Sequence, residues 1–321
     1  MDSRTSASSL RVVALAGGVG GAKLAHGFAA ALHPNQLSII VNTGDDFEHL
    51  GLYICPDLDT VTYTLANIAN PETGWGIVGD TSNCLESLEK LGADSWFRLG
   101  DHDLATHLFR SWLIQSGERL TTITQKICQR LGIQHVILPM CDTPCRTVVS
   151  TVKGEMDFQT YFVRYEWQPK IKGFRWEGLE NAYPSPEVIA SLEAADLIIF
   201  CPSNPFVSID PILQLPDVKK IIRTKTTIAV SPIIGGKVVK GPAAKMFREL
   251  DIPASALSVA QHYQGLLSGF ILDIIDTNLL NKVNALGIKA ISMPIMMKGY
   301  IERVAVANNI LQFGTYLLAE K

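Results

Sequence analysis

A cluster of glycines near the amino terminus has the composition of a phosphate-binding turn. Gly17, Gly18, Gly20 and Gly21 follow a short apolar run and lead into a helical pattern. A glycine turn between a strand and a helix lets a phosphate approach backbone N–H groups at the positive end of the helix. Lys23 comes just after the turn and can meet the phosphate charge. A tight strand-to-helix turn without a ligand is the alternative interpretation.

The turn fits neither of two familiar phosphate motifs. Lys23 is preceded by Ala22 and followed by Leu24, so no Ser or Thr is present to hold magnesium as in a Walker A loop. Gly18 and Gly20 fit the start of a dinucleotide fingerprint, but Lys23 stands at its third glycine position. No acidic residue ends the second predicted strand. These departures disfavour an NAD-linked oxidoreductase.

Carboxylates form a second cluster shortly after the turn. Asp45 and Asp46 follow the second apolar run, and Asp57 and Asp59 come soon after them. Four carboxylates at one sheet edge repel one another, and a divalent cation relieves this; hard oxygen ligands suit Mg²⁺. Alternatively, Asp57 or Asp59 caps the helix that follows. Magnesium beside a phosphate turn indicates chemistry at a phosphoanhydride, where charge builds up on oxygen atoms.

A third polar concentration lies in "WFRLGDHDLATHLFR", residues 96–110. Asp101 is predicted to cap a helix there, and Arg98 is either a ligand-binding cation or an ordinary surface residue. His102 and His107 are five positions apart, which does not stack them on one helix face, so a paired metal site is disfavoured.

A rigid polar loop follows a later buried strand. Ser203 and Asn204 lie between two prolines in "CPSNPF", residues 201–206, at what we expect to be another carboxyl edge of the sheet. Such loops can hold a base, a ribose or a phosphate, although the pattern alone is a weak signal.

Alternating strand and helix patterns predict an α/β fold. The predicted strands lie at residues 11–16, 37–42, 135–139, 146–152, 160–167, 196–200 and 226–232. The predicted helices lie at residues 21–32, from about 59, 81–91, 103–116, 121–131, 187–195, 241–250 and 300–318. We expect one Rossmann-like domain, residues 11–321, with a mostly parallel sheet, helices on both faces and a helical insert at about 80–132.

Composition narrows the class of protein. The 321 residues are 47% hydrophobic and 18% charged with a net charge of −3, which predicts a soluble globular protein and no nucleic-acid partner. No apolar stretch approaches the length of a membrane span, so we expect a cytoplasmic protein without a membrane partner. The Ser-rich tail at residues 1–10 is expected to be disordered. The cysteines are expected to be reduced and mostly buried.

Together these segments resemble the 2-phospho-L-lactate transferase family, the CofD type, of coenzyme F420 biosynthesis. The resemblance spans roughly residues 11–275 and is carried, in order, by "LAGGVGGAKL", "VNTGDDFEHLGLYICPDLDTV", "FRLGDHDLATH", "CPSNPFVSI" and "VSPIIGGKVVKGPAAKMF". It implies transfer of a phospho-three-carbon acid from a guanosine diphosphate-linked donor to the deazaflavin Fo (7,8-didemethyl-8-hydroxy-5-deazariboflavin). GMP leaves, a phosphodiester forms, and Mg²⁺ is required.

The resemblance also implies roles for individual residues. Asp45 and Asp59 are expected to be catalytic and to hold Mg²⁺, and Asp59 and Arg98 match positions associated with deazaflavin binding. The remaining candidates for binding the donor or acceptor are Gly18, Gly20, Gly21, Lys23, Asn42, Thr43, Asp57, Ser203 and Asn204. The glycine turn of this chain reads "GGVGGAKL", whereas the turn of other family members reads closer to "GGTGTPKL". This chain therefore lacks a threonine hydroxyl at the tip of the turn, and Thr43 is a candidate to replace it.

An alternative from another class is a non-catalytic nucleotide-sugar-binding regulator of the YvcK type, which shares the glycine turn on a similar core. The segments "DLDTV" and "LGDHDLATH" favour the transferase. The sequence does not discriminate among 2-phospholactate, phosphoenolpyruvate and 3-phosphoglycerate as the group transferred. A homodimer is possible because the carboxyl-terminal helix is apolar.

Overall fold

The computed structural model describes residues 10–238 and 243–320. The predictions for residues 1–9 and for the first two residues of the helix at 241–250 lie outside the described residues. No helix within the described ranges is long and apolar enough to cross a membrane.

Parallel strands build the main sheet, as the alternating sequence pattern predicts. In chain order the strands are β1 (Val12–Ala16), β2 (Leu37–Val41), β3 (Phe47–His49), β4 (Leu52–Ile54), β5 (Val136–Pro139), β6 (Arg146–Thr151), β7 (Gly154–Asp157), β8 (Ile171–Glu177), β9 (Leu197–Phe200), β10 (Thr226–Val230), β11 (Ile233–Ile234), β12 (Lys237–Val238), β13 (Gly269–Leu272) and β14 (Lys289–Ser292). Within the described ranges, seven of them form one parallel sheet in the order β14-β13-β10-β9-β1-β2-β5.

Helices cover both faces of this sheet. They are α1 (Gly18–Ala31), α2 (Pro56–Leu65), α3 (Asn83–Lys90), α4 (Asp101–Gln115), α5 (Leu120–Arg130), α6 (Pro186–Ala194), α7 (Asp210–Gln214), α8 (Val218–Ile222), α9 (Ala243–Glu249), α10 (Ala256–His262), α11 (Leu280–Asn284) and α12 (Tyr300–Ala319). Helices α3, α4 and α5 fall inside the segment predicted as a helical insert. The Rossmann-like fold class is confirmed.

Alternate residues of each buried strand pack on opposite faces. Val13 and Leu15 of β1 belong to one apolar cluster, and Val12, Ala14 and Ala16 belong to the other. The period of two in a strand places neighbouring side chains on opposite faces. Because both faces are covered, the central strands β1 and β9 are apolar throughout, which explains why they appear in the sequence as continuous apolar runs.

The strand order reverses direction beside β1. The chain continues from β1 to its neighbour β2 on one side, whereas β9 lies on the other side and leads to β10. Ligands of open α/β sheets bind at such a switch point, in the crevice outside the carboxyl ends of the strands. The segments that leave β1 and β9 are the glycine turn and the polar loop at 201–204.

Two local predictions are wrong. Residues 160–167 were expected to form a half-exposed strand, but Thr160–Arg164 is a π-helical turn. Asp157 accepts hydrogen bonds from the backbone N–H of Thr160 at 2.8 Å and from its hydroxyl at 2.6 Å, which starts this turn. The polar loop was expected to extend over residues 201–206, but a second π-helical turn begins within it and spans Pro205–Ile209.

Candidate active site at the switch point

A cavity of about 650 Å³ opens at the carboxyl edge of the main sheet. Nine of the twelve residues predicted to bind ligands or to be catalytic line it: Gly18, Gly20, Lys23, Asp45, Asp57, Asp59, Arg98, Ser203 and Asn204. Gly21, Asn42 and Thr43 are outside the lining. A cavity of this size with a few convergent polar groups is typical of small-molecule sites.

The glycine turn is packed tightly against the loop that follows β9. A Cβ atom on Gly20 would lie 2.3 Å from the carbonyl oxygen of Pro202, and one on Gly21 would lie 2.6 Å from the Ser203 hydroxyl. Gly18 has a φ of +61°, in the left-handed region that favours glycine. These glycines are therefore required by the packing of the turn itself as well as by the approach of a ligand.

The polar side chains of the second loop fix the shape of the crevice. The Ser203 hydroxyl accepts a hydrogen bond from the Gly17 N–H at 3.1 Å and donates one to the Gly17 carbonyl at 2.8 Å. Asn204 accepts a bond from the backbone N–H of Phe206 at 3.1 Å and starts the π-helical turn there. Both residues line the cavity, and Ser203 joins the loop to the glycine turn.

Asp57 belongs to the first turn of α2, and its carboxylate also lies at the amino terminus of α1. Its carboxylate accepts bonds from the Gly18 N–H at 2.6 Å and from the Asn42 side-chain amide at 2.9 Å. The carboxylate occupies a position at which a helix amino terminus attracts an anion. Burial, only partly offset by the bonds from Asn42 and Gly18, raises the pKa of Asp57 to about 6.

The interpretation of Asp57 and Asp59 as caps of the following helix is wrong. Helix α2 begins at Pro56 with Cys55 as its N-cap, so both carboxylates lie in its first turn. Proline suits the first helical position because its missing N–H has no partner there in any case, and the helix therefore starts earlier than the sequence pattern predicted.

Asp45 presents an unpaired oxygen beneath the cavity. The side chain is 5% exposed, and its Oδ1 atom has no hydrogen-bond partner among the described residues. Burial and the nearby charge of Asp57 raise the pKa of Asp45 well above its usual value. Asp46 is also buried, which raises its pKa, but it does not line the cavity. A cation would relieve the burial and the repulsion together, so these carboxylates fit Mg²⁺.

Asp59 belongs to a buried polar network. Arg110, which is 2% exposed, pairs with both carboxylate oxygens of Asp59, through Nη2 to Oδ1 and through Nη1 to Oδ2 at 3.1 Å. The Tyr63 hydroxyl donates to Asp103 at 2.6 Å. Asp103 and His107, both buried on α4, complete the network. Burial acts to raise the pKa of Asp103, but the adjacent His107, the Tyr63 hydroxyl and the charge of Arg110 together hold that pKa below its usual value.

Asp59, Asp103 and His107 each offer a ligand atom within 4.8 Å of the others. The sequence pattern disfavoured a metal site formed by His102 and His107, and it did not group His107 with these carboxylates. His102 is exposed, in contrast to His107.

The start of α4 differs from the prediction. Gly100 is the N-cap, and the helix already includes Asp101, so Asp101 does not cap it. Asp80 instead accepts bonds from the N–H groups of His102 at 2.8 Å and Asp103 at 3.0 Å. Asp101 accepts a bond from the Cys84 N–H at 3.0 Å and so caps α3. The two aspartates cap each other's helices, an exchange that local sequence patterns do not encode.

Aromatic residues form another part of the cavity lining, called the aromatic wall below. Its members are Trp75, Trp96, Phe97, Phe158 and Phe162. The rings of Phe158 and Phe162 are stacked, with centroids 5.5 Å apart and planes inclined by 5°. Such a wall is suited to a planar heteroaromatic ring. The exposed Arg98 side chain also lines the cavity and has no hydrogen-bond or ion-pair partner within the described part of the chain.

The sequence profile of the family described as "2-phospho-L-lactate transferase CofD" matches residues 12–293. The chain is 39% identical over 312 residues to a phosphoenolpyruvate transferase of Thermobifida fusca, covering 93% of this chain and 96% of the relative. It is 40% identical over 257 residues to a 2-phospho-L-lactate transferase of Methanopyrus kandleri, covering 80% and 82%. The chain belongs to the CofD family. It is therefore an enzyme of a transferase family, as the resemblance implied.

A crystal structure of a UPF0052 family member from Bacillus halodurans shares the fold of this CofD family protein. The two align with a TM-score of 0.60 at 15% identity, covering 94% of this chain and 99% of the other. At this identity the match concerns the fold alone.

The sequence reasoning did not single out several residues of this CofD family site. Arg110, Tyr63 and Asp103 were not assigned roles, although Asp103, His107 and Arg110 lie three and four positions apart on one helix. That spacing places side chains on one helical face and was the available signal. The aromatic wall was also missed, because its members come from segments distant in sequence.

Proposed function

We propose that this protein transfers a phospho-three-carbon acid from its guanosine diphosphate-linked donor to the deazaflavin Fo, releasing GMP, in coenzyme F420 biosynthesis. The observation that carries the proposal is the single cavity that combines a glycine turn, buried carboxylates and an aromatic wall. The first two suit a diphosphate with its cation, and the third suits a planar acceptor. Family membership supports the reaction type.

In this proposal the donor diphosphate lies at the glycine turn. Backbone N–H groups at the start of α1 and the charge of Lys23 bind its oxygens. Because Asp57 now accepts the Gly18 N–H, a phosphate that takes this position displaces the Asp57 carboxylate. The loop at Ser203 and Asn204 lines the other side of the crevice and is proposed to contact the nucleoside of the donor.

Asp45 and Asp59 are proposed to hold Mg²⁺. Among the described residues, Asp45 Oδ1 has no hydrogen-bond partner and is available to bind the ion, whereas Asp59 already forms an ion pair with Arg110. When bound, the ion neutralises charge on the diphosphate. We assign Asp45 the larger share of the metal binding, and we propose that Arg110 holds the Asp59 carboxylate in one orientation.

The acceptor is proposed to bind between the aromatic wall and Arg98. Its ribityl hydroxyl attacks the donor phosphorus that carries the three-carbon acid, an O–P bond forms, and the bond to GMP breaks. The hydroxyl proton is lost to a base, and GMP leaves with the electron pair of the broken bond. Holding both substrates in one enclosed cavity supplies orientation and excludes water as a competing nucleophile.

Product analysis by mass spectrometry tests this function. Purified protein is incubated with Fo, Mg²⁺ and, separately, the guanosine diphosphate-linked forms of 2-phospholactate, phosphoenolpyruvate and 3-phosphoglycerate. We expect at least one donor to give a phosphodiester of Fo together with an equal amount of GMP. Absence of both products from all three donors, with folded protein, overturns the proposal.

A further inference from the structure

His107 has a buried ring nitrogen that makes no hydrogen bond with the described residues, although Asp103 lies beside it. The residue is 1% exposed, lies on α4, and lines the cavity. Its Nε2 atom has no hydrogen-bond partner among the described residues. A buried polar atom without a partner costs about 1–3 kcal/mol, so its retention at a cavity wall indicates a ligand.

The neighbour of the other ring nitrogen fixes the tautomer. Arg110 Nη1 lies 3.2 Å from His107 Nδ1. A guanidinium has only donors, so Nδ1 must accept this bond and carries no proton. The ring proton of the neutral imidazole is therefore on Nε2, which makes the unpartnered atom a hydrogen-bond donor.

This tautomer disfavours His107 as a metal ligand, although the side chain lies near the carboxylates of Asp59 and Asp103. Metal coordination by Nε2 needs a free electron pair, and that pair is absent while Nε2 carries the proton. Asp103 Oδ1 lies 3.3 Å from Nε2, but the two do not form a hydrogen bond, and Oδ1 already accepts one from Tyr63. The cavity wall thus offers an N–H donor beside a carboxylate acceptor.

We propose that His107 donates from Nε2 to a carbonyl oxygen of the acceptor's pyrimidinedione ring, and that Asp103 accepts from the ring N–H beside that carbonyl. The inference rests on the proposed function, since it names how the deazaflavin is read at the same site. A cyclic imide presents a carbonyl and an N–H side by side, which matches the donor and acceptor on α4. Arg110 is then a positioning residue, because it fixes which nitrogen of His107 donates.

Binding of Fo, followed by its fluorescence, tests the role of His107 without relying on turnover. His107→Phe removes the donor, and we expect the Kd for Fo to rise at least about tenfold, the equivalent of 1.4 kcal/mol. His107→Gln keeps an N–H near the position of Nε2, and we expect its Kd to stay within about threefold of that of the unaltered protein. His102→Phe, on the exposed side of the same helix, is the control and is expected to bind Fo normally.

A second experiment uses only the unaltered protein, so its result does not depend on whether a variant folds. Fo methylated at its imide nitrogen cannot donate to Asp103, and we expect the unaltered protein to bind it at least about tenfold more weakly than Fo. Affinity for GDP is expected to be unchanged in both His107 variants, which separates acceptor recognition from damage to the whole site.

The outcomes distinguish the two proposals. If the unaltered protein does not bind Fo, the proposed function fails. If it binds Fo, but a cooperatively melting His107→Phe variant binds equally well, the inference about His107 is overturned while the function stands. Equal affinity for Fo and its N-methyl derivative overturns the role of Asp103.

Discussion

At the scale of single residues, hydrogen-bond and ion-pair partners decide which of the buried aspartates are free to bind a ligand. Arg110 holds Asp59, Asn42 and the Gly18 N–H hold Asp57, and the described residues leave Asp45 Oδ1 without a partner. Sequence spacing placed these carboxylates at one edge of the sheet but could not distinguish their partners. Those partners come from other segments of the chain.

Replacing Asp59 tests its chemical role. Asp59→Asn is expected to lower kcat about 100-fold or more, because a charge that supports the diphosphate is lost. It also leaves the Arg110 guanidinium buried without its carboxylate, at a cost of about 3–5 kcal/mol in the free energy of unfolding. Steady-state kinetics and urea denaturation measure the two effects.

A double variant separates stability from chemistry. Asp59→Asn combined with Arg110→Met removes the unpaired charge, so stability is expected to recover while kcat stays low. Asp217→Asn, at an exposed position, is the matched control. Normal turnover in the single or the double variant contradicts a catalytic role for Asp59.

At the scale of elements, the site depends on close packing between the turn after β1 and the loop after β9. The sequence predicted both segments and their strands, because strand and helix periods are local properties. It did not predict that the glycines serve the contact between the two segments, since Pro202 and Ser203 are far from the turn in sequence. The exchanged caps of α3 and α4 were unpredictable for the same reason.

A methyl group in this contact is expected to disturb the site. Gly20→Ala places a Cβ 2.3 Å from the Pro202 carbonyl, and overpacking of this kind costs about 1–3 kcal/mol. We expect a lower melting temperature and weaker GDP binding, because the turn must move away from the loop. Calorimetry and a GDP titration measure both quantities.

Gly173 provides a matched control for this change. It lies in β8, and a Cβ added there meets no atom within 4 Å. Gly173→Ala is expected to leave GDP affinity unchanged. Equal GDP affinities for Gly20→Ala, Gly173→Ala and the unaltered protein would show that the contact does not shape the binding site.

At the scale of the whole molecule, the parallel sheet concentrates negative charge beneath one cavity. Composition and periodicity were sufficient to predict the α/β class, because apolar runs and helical patterns alternate along most of the chain. The reversal of strand order beside β1 was not predictable from those patterns, since strand order depends on contacts between distant segments. The sequence resemblance identified the family. The reversal of strand order beside β1 explains why the cavity lies at this edge of the sheet.

Buried carboxylates are expected to make the ligand-free protein less stable as the pH rises. The folded state raises the pKa of Asp57 from 3.8 to about 6, so the stability it contributes is present below pH 3.8 and is lost as pH rises through about 6. The raised pKa values of Asp45 and Asp46 act in the same direction. For Asp57 alone, the loss in the free energy of unfolding is about 3 kcal/mol.

Magnesium is expected to reverse this loss. Ligand carboxylates must be ionised, so Mg²⁺ binds the folded state more tightly at higher pH and stabilises it there. Urea denaturation from about pH 4 to pH 8, with and without Mg²⁺, measures both trends. Asp57→Asn is expected to flatten the slope without Mg²⁺, and an unchanged slope in that variant contradicts the assigned pKa.

The proposed reaction depends most on one arrangement, in which Asp45 and Asp59 hold a cation against a diphosphate at the glycine turn. A crystal structure with GDP, Fo and Mn²⁺ in place of Mg²⁺, with the anomalous signal of manganese, tests it directly. We expect one manganese peak at a coordination distance of about 2.1 Å from oxygens of both aspartates, with the GDP diphosphate bonded to the ion and to the turn. A diphosphate bound away from the turn, or a cation that contacts neither aspartate, would contradict it.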